Sequence, residues 1–257
     1  MEHLMRLWAG FHDGFPPPED VNDLPFSIVI GSHVLPAVGI GMGMNYKDNK
    51  DCVVVNYGDG ASSQGAVSEA LNFAGVYNAP VVFICENNGW AISTPTRKQT
   101  ANQILASHGC AHGMPSIRVD GNDIFAMMSA TEEATTRARN GEGPTFIEAI
   151  TFRMSLHTTA DDPTVYRDQE EVTVWESRCP IKRFETYLSN KSVLNAETIK
   201  ETTESCEAEV IKARDAFYAM SPADPTDIFD YLYDVLPAEL QEQRAEYLKR
   251  LKQKGVG

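Results

Sequence analysis

The chain has 257 residues, of which 42% are hydrophobic, and this is enough for one large α/β domain with an extension. Its formal net charge of −14 argues against nucleic acid or an anionic membrane as a partner, since both usually require a basic patch. No apolar run reaches the roughly 18 residues of a membrane span, and the first residues show no signal-peptide pattern. The five cysteines are odd in number and form no C-x-x-C pair, which favours a reducing compartment. We therefore expect a cytoplasmic location.

The first predicted element is a buried strand over residues 26–31, because these residues form a continuous apolar run that ends in Gly-Ser. The helix predicted next, over 33–46, carries Gly39 and Gly43 on one face. A glycine inside a helix costs about 1 kcal/mol relative to alanine, and close approach of another backbone is the simplest compensation. Packing within the chain and contact with another subunit are equally open alternatives.

Strands and helices then alternate as far as residue 153. The predicted strands are 52–57, 81–85, 116–120 and 145–153, and the predicted helices between them are 64–77 and 124–138. Short crossovers of this kind join parallel strands, so the pattern predicts a doubly wound parallel sheet in an α/β domain over residues 1–167. Residues 168–257 carry apolar residues at helical spacing and are predicted to form a C-terminal helical extension that packs on this domain.

Two polar turns follow neighbouring strands of the predicted sheet. Asp59 lies between two glycines directly after strand 52–57, and Asn88 lies just after strand 81–85. Because ligands bind beyond the carboxyl ends of parallel strands, we expect both side chains to converge there. Their oxygens suit Mg²⁺ or Ca²⁺, and the free amides of the helix after Gly60 attract phosphate. Gly-Asp-Gly alone is an ordinary turn, so the prediction of a metal and diphosphate site depends on the pair.

A second polar cluster occupies the predicted loop 153–167. Its members are His157, Asp161, Asp162, Tyr166 and Arg167. A histidine near the ligand-binding edge of a sheet can donate to an oxyanion or shuttle a proton. The alternative is a solvated loop whose charges pair among themselves.

The spacing of Asp59 and Asn88, which are 29 residues apart, resembles the thiamine-diphosphate motif, a Gly-Asp-Gly triplet followed at such a distance by Asn-Asn. Longer segments are similar, in the same order, to the alpha subunit of the thiamine-diphosphate-dependent decarboxylating component of 2-oxo acid dehydrogenase complexes. These segments are GDGASSQGAVSEALNFAG, ENNGWAISTPT, VDGNDIFAMMSAT, GPTFIEAITFR and HTTADDPTVYR. The resemblance begins near residue 20 and continues to the end of the chain.

The resemblance implies a cofactor, thiamine diphosphate, held through Mg²⁺. In this family the positions of Asp59, Asn88 and the backbone oxygen of Trp90 ligate the metal. The implied phosphate-binding turn comprises Gly58, Gly60 and Ala61.

The implied contacts of the organic part of the cofactor lie elsewhere in the sequence. Backbone carbonyls near Ile28 and Ile30 would meet the aminopyrimidine ring, and His33 is a further candidate for the cofactor pocket. The position of His157 lies in the active-site channel of the family and assists acyl transfer to a lipoyl group. Thr158 stands where regulated relatives have a phosphorylated serine, so we expect no such regulation here.

The resemblance implies oxidative decarboxylation of pyruvate or a branched-chain 2-oxo acid, with acyl transfer to lipoyl-lysine. The implied partners are a beta subunit in a heterotetramer, which would supply the catalytic glutamate, and the lipoyl acyltransferase core of the complex. The family usually has an N-terminal region that carries a Tyr-Arg pair, and no such pair precedes MEHLMRLWAGF. We expect either that the start is misassigned or clipped, or that another chain supplies this region. Two alternatives are a transketolase-like half-enzyme and a non-catalytic truncated paralogue that acts as an interaction subunit.

Overall fold

The computed structural model describes residues 1–11, 21–24 and 27–255. The chain divides into two compact units, one made of Ser27–Leu194 and the other of Met1–Phe26 with Asn195–Gly257. The helices between residues 168 and 190 therefore belong to the same compact unit as the sheet. The expected domain boundary between residues 167 and 168, with an extension that packs on the first domain, stays a prediction.

The larger unit is built on a four-stranded parallel sheet of order β1-β2-β6-β5. Its strands are β1 (Val53–Gly58), β2 (Val81–Asn87), β5 (Ser116–Asp120) and β6 (Thr145–Ile150), and a small antiparallel hairpin is formed by β3 (Trp90–Ala91) and β4 (Thr94–Pro95). The four strands predicted between residues 52 and 153 are all present. The last is shorter than predicted, because the chain leaves the sheet after Ile150 to enter the loop that holds His157.

The helices of the described residues follow in chain order. They are α1 (Glu2–Trp8), α2 (Val34–Tyr46), α3 (Gly65–Val76), α4 (Thr96–Gln99), α5 (Ala106–Ala111), α6 (Ile124–Arg139), α7 (Gln169–Glu176), α8 (Pro180–Asn190), α9 (Ala196–Tyr218), α10 (Asp227–Asp230) and α11 (Ala238–Gln253). Prolines mark helix starts within the helical extension predicted over residues 168–257, since Pro180 begins α8 and Pro237 precedes α11. Proline has no amide donor and is tolerated only at a helix start.

Strand β2 shows why the sheet is covered on both faces. Phe83 and Cys85 point into a core shared with α2 and α3, whereas Val82 and Ile84 point into a second core against α6. Because successive side chains of a strand alternate between faces, an apolar strand of this kind needs a helix layer on each side. The predicted doubly wound α/β fold is therefore confirmed.

The buried strand predicted over residues 26–31 is wrong in its described part. Phe26 lies outside the described residues. The side chains of Ile28, Val29 and Ile30 are 75%, 70% and 62% exposed, and their backbone forms no strand. Within the described residues β1 is an edge strand that pairs only with β2, so this apolar run does not add a strand beside it.

The glycines of α2 also behave differently from the expectation of packing within the chain. A Cβ on Gly41 would lie 2.8 Å from a methyl carbon of Val81, so Gly41 is the residue that lets α2 approach β2. A Cβ on Gly39 or Gly43 would meet no atom of the described residues within 4 Å, and both glycines are exposed. Intramolecular packing therefore does not explain these two positions, and subunit contact is left as the alternative.

The smaller unit is helical. Helix α9 begins with a capping box in which Asn195 and Thr198 bond each other's backbone amides, and it contacts α1. Phe11 and Phe217 meet edge to face in this unit, with ring centroids 6.2 Å apart. No helix in the described part of the chain is long and apolar enough to cross a membrane.

Candidate functional site

The site begins where β1 and β2 end side by side. Gly58 pairs with Glu86 in the parallel register, so the turn after β1 and the turn after β2 lie at the same edge of the sheet. The backbone amide of Asn88 donates to Oδ1 of Asp59 at 3.3 Å. The structure thus brings the Asp59 carboxylate and the Asn88 backbone amide into direct contact. This contact is possible because the two parallel strands end at the same level.

The Asp59 carboxylate is buried and well supplied with donors. Its exposed fraction is 1%, and Oδ2 accepts a hydrogen bond from Thr96 Oγ1 and another from Gln99 Nε2, each at 3.1 Å. Thr96 and Gln99 lie on α4, and sequence reasoning missed both because a short polar helix after a loop has no distinguishing pattern. A carboxylate offers about four lone-pair sites. Three protein donors leave room for one further ligand.

The second turn, residues 87–90 after β2, is stabilised by hydrogen bonds from its own backbone amides. Oδ1 of Asn88 accepts from the Trp90 amide at 3.0 Å, and Oδ1 of Asn87 accepts from the Gly89 amide at 3.2 Å. Gly89 has φ +85°, a left-handed conformation that glycine adopts without strain. The Asn88 oxygen keeps one lone pair for another ligand, because an amide oxygen carries two.

The predicted phosphate-binding turn lies tightly against the β3–β4 hairpin. A Cβ on Gly60 would lie 2.8 Å from the Cβ of Ala91, so this position requires glycine. Ala61 is buried in a single 3₁₀ turn, and Ser62 Oγ donates to the Asp59 carbonyl at 2.6 Å. Helix α3 then begins at Gly65 without a side-chain cap, so no side chain occupies its first amides.

The donor set fits a hard divalent cation. Asp59 and Asn88 offer one carboxylate oxygen and one amide oxygen, each with unused acceptor capacity, and oxygen ligands of this type are those that Mg²⁺ prefers. Among the described residues no three His, Cys, Asp or Glu side chains form a metal-binding group. This finding does not bear on the predicted ligands, which include only one such residue.

The loop after β6 is exposed, but its side chains form a connected network. The Tyr166 hydroxyl donates to Asp161 Oδ2 at 2.7 Å and accepts from Arg153 Nη2 at 2.9 Å, while the His157 amide donates to the same Asp161 oxygen at 2.8 Å. These hydrogen bonds, that from the His157 amide first, lower the pKa of Asp161 below its ordinary value. Arg167 donates to the carbonyl of Arg153 and stacks over Phe152.

The same loop contacts the hairpin beside the second turn. The rings of Tyr166 and Trp90 lie 5.2 Å apart, and Arg153 Nη2 donates to the carbonyl of Ile92 at 2.7 Å. Ile92 has φ +53°, which is unusual for a β-branched residue and which these contacts help to hold. The backbone turn around Trp90 and the loop of His157 are therefore physically connected.

The other predicted residues lie near the start of α2. His33 is half-buried, and its Nε2 lies 2.8 Å from the carbonyl oxygen of Asn56 in β1, next to the turn of Asp59. The side chains of Ile28 and Ile30 are exposed, so only their backbone carbonyls suit the predicted contact. No described contact joins these three residues to Asn88 or His157.

The parallel sheet, with two polar turns at the carboxyl ends of adjacent strands, is consistent with the thiamine-diphosphate-binding fold. Comparison with known proteins agrees. The family model for the dehydrogenase E1 component matches residues 16–224, and the chain belongs to this family.

Named relatives are similar over nearly the whole chain. The pyruvate dehydrogenase E1 component subunit alpha of Acholeplasma laidlawii is 41% identical over 256 residues, which are 98% of this chain and 73% of the relative. The 3-methyl-2-oxobutanoate dehydrogenase subunit alpha of Mycobacterium tuberculosis is 43% identical over 244 residues, 95% of this chain and 66% of the relative. The pyruvate dehydrogenase E1 component subunit alpha of Bacillus subtilis is 39% identical and is covered to 65% of its length. The chain thus spans about two thirds to three quarters of these relatives.

Proposed function

We propose that this chain is the alpha subunit of a thiamine-diphosphate-dependent 2-oxo acid dehydrogenase. The observation that carries the proposal is the contact between Asp59 and Asn88 at the ends of two registered parallel strands. Membership of the dehydrogenase E1 component family, with relatives that carry alpha-subunit names, supports the same conclusion.

Mg²⁺ would be held by Asp59, Asn88 and the backbone oxygen of Trp90. The buried position of Asp59 supports this role, because a buried carboxylate gains most from a cation. The diphosphate would be held by Gly60, Ala61 and the uncapped first amides of α3, where the helix dipole favours negative charge.

Thiamine diphosphate, when bound, supplies the electron sink for decarboxylation of a 2-oxo acid. The chain's own residues orient this cofactor and hold a proton at one defined atom of His157. Arg153 Nη1 lies 3.4 Å from His157 Nδ1, and a guanidinium can only donate. Nδ1 is therefore the acceptor, so the neutral imidazole carries its proton on Nε2. This proton is available to the acyl acceptor, the lipoyl-lysine of the acyltransferase core.

The resemblance assigns protonation of the pyrimidine ring to a glutamate of a beta subunit. Helix α2 supports the need for a partner. It is apolar on every side, yet only the face of Val34, Ala37 and Gly41 is buried. Helices that are apolar all round are normally covered, so the exposed face with Gly39 and Gly43 fits a subunit contact.

The binding step tests the proposal first. Calorimetry of the chain together with its beta subunit, titrated with thiamine diphosphate in Mg²⁺ and again in excess EDTA, separates a cofactor site from a non-catalytic scaffold. We expect heat of binding only with Mg²⁺. No heat in either buffer would contradict the proposal and favour the interaction subunit.

The substrate class needs a separate measurement, since the relatives include both pyruvate and 3-methyl-2-oxobutanoate dehydrogenases. The same assembly is supplied with each 2-oxo acid and a lipoyl domain, and carbon dioxide release is measured. We expect release from at least one of the two acids. Ketol transfer between sugars without release of carbon dioxide would instead support the transketolase-like alternative.

A further inference from the structure

A fully buried carboxylate lies behind the second turn and is not part of the predicted site. Glu148 on β6 has no exposed surface, although its neighbours in the strand are apolar. It lies between Cys85 of β2 and Arg118 of β5 in the parallel register. A buried carboxylate is costly unless its oxygens are bonded, so its contacts indicate its role.

Both oxygens of Glu148 are occupied. Oε1 accepts from Asn87 Nδ2 at 2.8 Å, and Oε2 accepts from the Ala106 amide at 2.9 Å. Arg118 Nε lies 3.4 Å from Oε2, and the Arg118 side chain is half exposed. Glu148 therefore has one ionic partner, Arg118, and two neutral partners, the Ala106 amide and the Asn87 side chain. Of these, Asn87 belongs to the turn that carries Asn88.

The bond to Asn87 decides which way that amide points. Because a carboxylate only accepts, the Asn87 NH₂ group must face Glu148, and Asn87 Oδ1 must then face the Gly89 amide at 3.2 Å. The same Oδ1 lies 3.5 Å from Thr96 Oγ1, whose shorter bond goes to Asp59. If the Asn87 amide turned over, its NH₂ would face the Gly89 N–H and open the turn.

We propose that Glu148 is a positioning residue whose carboxylate fixes the amide orientation of Asn87 and, through it, the turn from Asn88 to Trp90 that offers the metal ligands. This inference rests on the proposed function of that turn. It assigns Glu148 a part in Mg²⁺ retention that its ion pair with Arg118 does not have.

The first test is Glu148→Gln in the full chain with its beta subunit, with Mg²⁺ affinity measured at saturating thiamine diphosphate. A glutamine cannot accept from both Asn87 and Ala106. We expect Mg²⁺ to bind about 10- to 100-fold more weakly, as for other residues that orient metal ligands. Arg118→Gln is the matched control, since it removes the ion pair and leaves the Asn87 bond, and we expect a change within about twofold.

The second test exchanges the amide and the carboxylate between positions 87 and 148. Asn87→Asp alone places two carboxylates face to face and should also weaken Mg²⁺ binding. In the double variant Asn87→Asp with Glu148→Gln, the glutamine NH₂ donates to position 87, while the aspartate still accepts from Gly89 and the glutamine oxygen still accepts from Ala106. We expect Mg²⁺ affinity to recover to within about threefold of the original chain.

The outcomes separate this inference from the proposed function. If the original assembly shows no Mg²⁺-dependent cofactor binding, the proposed function fails and this inference fails with it. If the original binds but Glu148→Gln binds equally well, or Arg118→Gln loses as much, only the positioning role is overturned. If Glu148→Gln does not fold, the comparison of Asn87→Asp with the double variant decides, and a double variant no better than Asn87→Asp overturns the inference.

Discussion

The two parts of the candidate site are ordered by different means. The turn of Asp59 is buried and is fixed by strand register and by hydrogen bonds from Thr96 and Gln99. The loop of His157 is exposed and has no strand to hold it, so a few side-chain bonds around Asp161 and Tyr166 order it. The buried part is suited to rigid retention of a charged cofactor, whereas the exposed loop is suited to meeting a macromolecular acyl acceptor.

The largest effect is expected for Asp59→Ala. Loss of the carboxylate should weaken Mg²⁺-dependent binding of thiamine diphosphate by at least about 100-fold, as measured by calorimetry. It should also destabilise the fold by about 1–3 kcal/mol for each donor left without an acceptor. Asp123→Ala is the control, because Asp123 caps α6 through the amides of Phe125 and Ala126. It should cost about 1 kcal/mol of unfolding free energy and leave affinity unchanged.

A smaller and more selective effect is expected for His157→Ala. The exposed side chain contributes little to packing, so unfolding free energy should change by less than about 0.5 kcal/mol and cofactor affinity should not change. Transfer of the acyl group to a lipoyl domain should slow by about 100-fold, the usual loss on removal of a proton donor. Thr158→Ala, also exposed, is the control and should transfer normally. Loss of cofactor binding in His157→Ala would contradict the assignment of cofactor retention to the buried turn alone.

Tyr166→Phe should loosen the loop without touching the buried turn. The variant loses the hydroxyl bonds to Asp161 and Arg153 and keeps the ring contact with Trp90. Limited proteolysis within residues 153–167 should become about three- to tenfold faster, since opening of a loop follows its local stability. Cofactor affinity should stay within about twofold. Equal cleavage rates would show that the hydroxyl does not order the loop.

The smallest effect concerns the titration of Asp161. The His157 amide and the Tyr166 hydroxyl lower its pKa below 3.8, so the folded loop favours the charged carboxylate. Its contribution to loop order is present above the ordinary pKa and is lost as pH falls through the lowered pKa, that is, below pH 3.8. Carbon-13 NMR should place the midpoint below 3.8 in the original chain and higher in Tyr166→Phe. An unchanged midpoint in the variant would contradict the assigned hydrogen bond.

Much of the sheet could be predicted because its signals are local. The apolar runs that become β1 and β2 predict a parallel sheet, and the glycine-flanked Asp59 predicts a polar turn at its carboxyl edge. The strand predicted at 26–31 failed because an apolar run shows that a segment avoids water without showing what covers it. The same difficulty applies to Gly39 and Gly43, because the sequence of an exposed helix face does not identify the surface that covers it.

The supports of the site were harder to predict than its expected ligands. Thr96 and Gln99 reach Asp59 only through the fold of the β3–β4 hairpin and α4, which no periodicity predicts. Glu148 did carry a signal that was missed, namely a charged residue inside the apolar run TFIEAI. A charge at a buried strand position must have hydrogen-bond partners, so the sequence could have shown that Glu148 needs a polar neighbour on an adjacent element.

Counting bound Mn²⁺ by electron paramagnetic resonance measures whether Asp59 and Asn88 share one divalent cation. With thiamine diphosphate and the beta subunit present, we expect one tightly bound Mn²⁺ per chain. We also expect that Asp59→Ala and Asn88→Ala each weaken this binding and that the double variant is little worse than the weaker single variant, because ligands of one ion are coupled. Affinity that is unchanged in Asn88→Ala, or losses that simply add, would contradict a shared cation.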